Sequence, residues 1–198
     1  MKRLFTIVCL LLATLTLPAQ YRRPPYGDLY ESVTVAAMRE DVRFLASAAL
    51  EGRKAGSEGE REAARYVSSR LEEEGVDVLT GPQGEPFGIR QENGDTLSSH
   101  NVLAFIPGYD KSVADHYIVI GARLDNIGTY ELTIDGEKVT RICYGANGNA
   151  SGLAMLIQLA SMLQRNKVLL RRSVIIAAFG ASCMLGAGSW YFLHRSFS

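Results

Sequence analysis

Charge of one sign is missing from this sequence, in which 21 Lys and Arg residues face 21 Asp and Glu. A nucleic-acid partner would call for a basic patch, and none is present, so that class of function is set aside. Histidine is scarce: His100, His116 and His194 have no pairing at metal-ligand spacing and read as surface or internally satisfied side chains. Cysteine is equally scarce, at three residues. Beyond residue 20 no apolar run is long enough to suggest a membrane span.

What is present begins with a targeting pattern. Lys2-Arg3, an apolar run from Leu4 to Leu17 and the small-residue site Leu17-Pro18-Ala19 form the three parts of a secretory signal, so residues 1–20 are expected to be cleaved near Ala19 or Gln20. The alternative, an uncleaved anchor, has too short a run to cross a bilayer. The expected location is therefore outside the cytoplasm: periplasmic, cell surface or extracellular. Without Lys2 and Arg3 the chain has 19 basic and 21 acidic residues, a net charge of −2. Cys9 leaves with the signal, and Cys143 and Cys183 remain as a possible disulfide in an oxidising compartment. The sequence does not fix whether their Cα atoms come within the roughly 7 Å that a bridge needs.

An apolar fraction of 47% over 198 residues fits one globular domain with a sizeable core. Residues 21–33 read as an extended lead-in and 34–198 as the domain. Val35, Met38, Val42, Leu45 and Ala49 recur at helical spacing until Gly52. Ser57 and Glu60 form a capping-box pair opening a second helix that buries Ala63, Ala64, Val67 and Leu71, with Glu72-Glu73-Glu74 on a solvated face. Residues 75–79 begin an exposed strand by alternation, and 81–94 read as a loop. Asn101–Ile106 and Tyr117–Ile120 are strands, expected to pair antiparallel because the link between them is too short for a parallel crossover.

Asp135-Gly136 lies between β-prone residues and predicts a type I′ hairpin that would overhang a neighbouring pocket. Ser151 can cap an apolar helix carrying Leu153, Leu156, Ile157, Ala160 and Leu163. Asn149-Ala150-Ser151 also spells a glycosylation sequon, which is taken as part of this helix start. Ser173–Phe179 is apolar on both faces, as a central parallel strand should be, and a further helical stretch begins at Gly186. Strand, loop, helix, strand, loop is a βαβ unit, and ligand sites in such sheets gather beyond the carboxyl ends of the strands.

The order Asp41-x-x-x-Leu45, Glu51-Gly52-Arg53, Gly56, Asn101-Val102 and Pro107-Gly108, then Ile118-Val119-Ile120-Gly121-Ala122, resembles the zinc-dependent exopeptidases that include secreted bacterial leucyl aminopeptidases. Asn149-Ala150-Ser151-Gly152, Ala178-Phe179-Gly180-Ala181 and Gly188-Ser189 are similar to the same family, whose relatives include glutaminyl cyclase and glutamate carboxypeptidase. The resemblance implies an α/β fold, a doubly wound and mostly parallel sheet flanked by helices in a three-layer sandwich, incomplete at its C-terminus. It also implies peptide hydrolysis by two bridged zinc ions with a glutamate as general base.

At the matching positions the residue types differ from the family's pattern. Arg123 stands where a zinc-binding histidine is expected, although the aspartate that orients it is retained as Asp125. Arginine presents only donors, and at ~4 Å and an effective dielectric of 20 it repels each unit of positive charge by about 4 kcal/mol. Gly148 replaces the aspartate that bridges the ions. Ser182 occupies the general-base position, where a hydroxyl is no substitute for a carboxylate, and Cys183 occupies a ligand position. The family's two remaining ligands lie beyond residue 198.

The reading is therefore an exported, aminopeptidase-like domain that has lost zinc binding and hydrolysis and serves as a binding module for a peptide or an envelope protein, with no cofactor. The alternative is an active zinc exopeptidase with a site rebuilt from Cys183, Asp125 and residues outside this chain; a non-functional gene remnant is a third reading. A serine or cysteine hydrolase lacks the Gly-x-Ser-x-Gly elbow it would need. A sheet without its last strands would expose apolar edge, so either a partner chain supplies them or the sequence is a piece of a longer product.

Overall fold

A computed structural model describes residues 32–113 and 116–195. The proposed signal at 1–20, and the lead-in as far as residue 31, lie outside the described residues. Residues 1–35 and 36–198 separate as two units. In the first, the Val35 N–H donates to Ser32 Oγ at 3.2 Å. The rest of the description concerns the second.

The helices are α1 (Val33–Leu45), α2 (Glu58–Glu73), α3 (Ser151–Arg165) and α4 (Ala187–Arg195). The strands are β1 (Asp77–Val78), β2 (Glu85–Arg90), β3 (Thr96–Ile106), β4 (Ile118–Arg123), β5 (Gly128–Ile134), β6 (Glu137–Cys143) and β7 (Val174–Phe179). One sheet runs β1-β3-β7-β4 with β2 also on β3, and β5 and β6 form a separate hairpin. No helix among the described residues is long and apolar enough to cross a membrane.

Alternation along β3 and β7 sends successive side chains to opposite faces. Val102, Ala104 and Ile106 of β3 and Val174, Ile176 and Ala178 of β7 pack in one core with Leu45, Ala63, Ala64, Val67 and Leu71 from α1 and α2 and Leu153, Ile157 and Ala160 from α3. Leu103, Ile175 and Ala177 face the other way, onto Phe192 of α4. Helices thus cover both faces of the sheet, the three-layer α/β arrangement expected. Burying each Leu, Ile or Val of this core contributes about 1.5–3 kcal/mol.

The pairing senses are more mixed than the mostly parallel sheet anticipated. β3 is antiparallel to β1, β2 and β7, and β4 alone is parallel to its neighbour, β7. The direct β3–β4 pairing expected from the short link is corrected, because β7 lies between them. Its residues are apolar on both faces, and burying both favours the central place. After β3 the chain runs past the start of β7, where the Gly108 N–H meets Ser173 Oγ at 3.1 Å and the Tyr109 N–H meets the Leu170 carbonyl at 2.8 Å. That detour leaves room for one strand.

Other differences are local. The stretch 81–94 contains β2, which pairs with a β3 that begins at Thr96, five residues before the expected start. Ala49 is exposed while Leu50 is buried, since a tight 3₁₀ turn at Ala48–Leu50 breaks the helical phase. Ser57 Oγ accepts the Glu60 N–H at 3.2 Å, but the Glu60 side chain turns inward instead of closing the capping box. Glu74 is not solvated like Glu72 and Glu73: it accepts from Ser161 Oγ at 2.6 Å and Arg165 at 2.9 Å. Ser151 does not cap α3, because a wide turn at Ala146–Ala150 runs directly into it.

Candidate functional site

Because β4 and β7 are parallel neighbours, the loops that follow them leave the sheet at the same edge. The Leu124 N–H donates to the Phe179 carbonyl at 2.8 Å, carrying the pairing one residue past β4 and turning Asp125 inward. Asp125 is fully buried; its Oδ1 accepts the Ser182 N–H at 2.6 Å and its Oδ2 the Cys183 N–H at 3.0 Å. The aspartate retained from the family pattern therefore joins the two site loops. It makes no hydrogen bond or ion pair with Arg123.

A second buried carboxylate holds the same loop from behind. Glu60 accepts the Ser99 hydroxyl at 2.6 Å, the Gly56 N–H at 2.7 Å and the Ala181 N–H at 3.3 Å. Burial is the dominant influence and pushes its carboxyl up to about 7, against the three donors that favour the charged form. The amides of Ala181, Ser182 and Cys183 thus all end on buried carboxylates.

The balancing cation is Arg53, which is also fully buried. Its guanidinium donates to the carbonyls of Leu124 at 3.2 Å, Tyr144 at 3.1 Å, Gly145 at 3.0 Å and Leu45. Desolvation lowers its pKa to about 10, with Asp125 opposing that shift. One side chain ties the end of α1, the β4 loop and the segment after β6. Its own backbone adds to this, since the Arg53 carbonyl accepts the Asn126 N–H at 2.9 Å. The sequence marked Arg53 only as part of a family pattern; an arginine among Gly and Glu in a polar turn carries no local sign of burial.

In front of this frame lies a cavity of about 510 Å³ with Val119, Ala122 and Phe179 as apolar wall and Arg123, Asn149, Ser182 and Ser189 as polar lining. Its volume suits a small ligand. The Ser182 hydroxyl donates to the Phe179 carbonyl at 2.9 Å and the Ser189 hydroxyl to the Gly186 carbonyl at 2.8 Å, so both protons are engaged. A Cβ on Gly148 would stand 3.9 Å from Arg123 Nη2, which places the guanidinium over the glycine. The β5–β6 hairpin forms at Asp135-Gly136 as predicted, both at positive φ, but no residue of it lines the cavity. Its base is instead held by the Gly128 N–H on the Gly52 carbonyl at 3.1 Å and by Asn126 Nδ2 on the Cys143 carbonyl at 2.7 Å.

Arg123, Gly148, Ser182 and Cys183, the positions singled out by the resemblance, thus gather at one edge, with Asp125 behind them. Arg123 offers only donors, Gly148 offers nothing, and both oxygens of Asp125 are engaged by amides, a donor set that does not suit a pair of dications. No group of three or more His, Cys, Asp and Glu among the described residues is placed to hold a metal ion. Cys143 and Cys183, raised as a possible disulfide, are separate free thiols here. The Cys183 thiol is pushed up by desolvation and by Asp125. Of the histidines, His100 is buried on β3, His116 is exposed, and His194 stacks on Trp190 with ring centroids 4.3 Å apart.

Residues 101–196 match the model of peptidase family M28. No curated protein matches the chain. Among solved structures, a glutaminyl cyclase of Porphyromonas gingivalis superposes with a TM-score of 0.60 at 18% identity, over 83% of this chain and 55% of that one. An aminopeptidase of Aneurinibacillus sp. strain AM-1 gives 0.58 at 15%, over 82% and 66%. LapB of Legionella pneumophila gives 0.53 at 21%, over 88% and 43%. At such identities the likeness establishes the fold. The chain spans about two fifths to two thirds of the length of these proteins.

Proposed function

We propose, on the premise of the peptidase family M28 match over residues 101–196, that this chain is an exported aminopeptidase-like domain that does not carry out two-metal hydrolysis and instead binds a ligand at the inherited site. The observation that supports this most directly is the Arg123 guanidinium lying over Gly148, where the family pattern has a histidine and a bridging aspartate. A fixed cation there opposes a divalent ion, and the one retained acid, Asp125, spends both oxygens on the Ser182 and Cys183 amides. Those bonds give Asp125 a structural task that explains its presence without a metal.

The frame itself is intact. Glu60, Arg53 and Asp125 still fix the loops that a binding site at this sheet edge requires. The test is elemental analysis of the purified protein after dialysis, together with assay of aminoacyl anilide hydrolysis. Less than a tenth of a zinc per chain, with no hydrolysis above background, is the expected result. Two zincs per chain with turnover lost on chelation would overturn the proposal and favour a site rebuilt around Cys183.

A further inference from the structure

Arg123 and Asn149, which both line this cavity, make no hydrogen bond or ion pair with any other described residue, while Ser182 and Ser189, the other polar side chains there, are engaged. Arg123 is exposed to solvent and Asn149 half-buried. Among the described residues, no carboxylate lines the cavity. Asp125 and Glu60 are fully buried behind the loop of residues 180–183 and aim their oxygens at its amides. The ligand-facing charge is therefore positive, and it lies beside an apolar wall of Val119, Ala122 and Phe179.

A site with this lining has an evident polarity. The α-ammonium of an amino acid or of a peptide's N-terminus needs an acidic partner or several acceptors, and here it would meet a guanidinium. A carboxylate meets the opposite situation: a planar fork of donors, plus a carboxamide that can turn its NH₂ inward. Deepening the binding role given above, on which this step rests, we propose that the cavity binds the α-carboxylate of an apolar residue whose amine is acylated, as at the C-terminus of a peptide. Arg123 and Asn149 hold the carboxylate, and Val119, Ala122 and Phe179 receive the side chain. A chain with an aminopeptidase-like scaffold would then recognise the opposite end of a peptide.

Gly148 provides an internal control. Its φ is −130°, and an added Cβ would make a tight 3.3 Å approach to Asn126 Oδ1, whose carboxamide must shift slightly, and would stand 3.9 Å from Arg123 Nη2. An aspartate there would reach the guanidinium and occupy the anion position from within.

The experiment is calorimetric titration of the purified protein with N-acetyl-leucine, N-acetyl-leucinamide, leucinamide and inorganic phosphate, with metal content measured on the same sample. N-acetyl-leucine is expected to bind and to weaken as salt is raised, with the two amides at least about tenfold weaker, since a charge-assisted hydrogen bond is worth about 1.5–3 kcal/mol. Arg123→Gln and Gly148→Asp should each reduce N-acetyl-leucine binding at least tenfold while leaving the thermal transition in place. Tighter binding of leucinamide, equal binding of N-acetyl-leucine and its amide, or tighter binding of phosphate would overturn the assignment. Metal-free protein that ignores N-acetyl-leucine sinks this inference alone; stoichiometric zinc sinks the earlier reading.

Discussion

Glu60 accepts the Ser99 hydroxyl at 2.6 Å in the interior, and the same carboxylate oxygen also receives the Ala181 N–H, so a residue of α2 sets the conformation of the loop after β7. That loop carries Ser182 and Cys183. The site's geometry therefore depends on a group whose protonation changes near neutral pH.

Burial raises the Glu60 carboxyl from 4.5 to about 7. The folded state then holds a proton that the unfolded state releases, so stability from this group is complete below about pH 4.5 and is lost as pH rises to about 7. At about 1.4 kcal/mol per unit the loss reaches about 3 kcal/mol at most. Melting curves from pH 4.5 to 8 should show this decline, and Glu60→Gln, which keeps acceptor and donor capacity, should flatten it. A wild-type curve already flat over that range would contradict the assignment.

Arg53→Met should cost about 3–5 kcal/mol in urea unfolding, because it strands a buried Asp125 without its cation and leaves four carbonyls without a donor. Arg53→Lys should recover only a part, since one ammonium cannot span the end of α1, the β4 loop and the segment after β6. A loss under 1 kcal/mol in the methionine variant would show that these loops do not depend on it.

Asn101 bridges the start of the β7 loop and α4, its Oδ1 accepting the Gly180 N–H at 3.1 Å and its Nδ2 donating to the Gly188 carbonyl at 2.9 Å. A Cβ on Gly188 would fall 2.2 Å from the Gly180 carbonyl oxygen and 2.5 Å from Asn101 Oδ1. Gly188→Ala is expected to destabilise by at least about 1–3 kcal/mol, read as a lower melting temperature. Gly81→Ala, which meets no atom within 4 Å, is the matched control and should stay within about 0.5 kcal/mol.

Cys183 is exposed, yet desolvation and Asp125 hold its thiol above the range of a free cysteine. In reduced protein its alkylation rate should rise with a midpoint above that of a free thiol. Asp125→Asn should bring the midpoint down. An acidic midpoint, as a thiolate site would give, would point to a cation beside the sulfur that outweighs Asp125.

Period and composition made much of this legible. The apolar run at residues 102–106 of β3, the two-sided apolar run of β7, the stripes of α2 and α3 and the Asp135-Gly136 turn each follow from local residue order, and each formed. Residue types at a motif are visible without coordinates, so Arg123, Gly148, Ser182 and Cys183 could be singled out, and the structure brings Arg123, Gly148 and Ser182 to one sheet edge. What failed was whatever depended on neighbours distant in sequence. β2 was hidden because Glu85–Arg90 has little β-prone character and exists through its pairing with β3. The β3–β4 pairing was misjudged because only competition for the core shows that β7 takes the middle position.

The sequence by itself determined the class of fold, its helices and most of its strands, because these rest on short-range patterns and residue chemistry. Only the tertiary structure decided that Asp125 turns away from Arg123 to bind two amides, that Arg53 and Glu60 are buried within the frame, and that Arg123 and Asn149 are left facing the cavity. Hydrogen-bond partners 57 to 121 residues apart, from Asp125 with Ser182 to Glu60 with Ala181, are chosen by burial, where an unpaired charge is too costly to persist, and no local pattern records that choice.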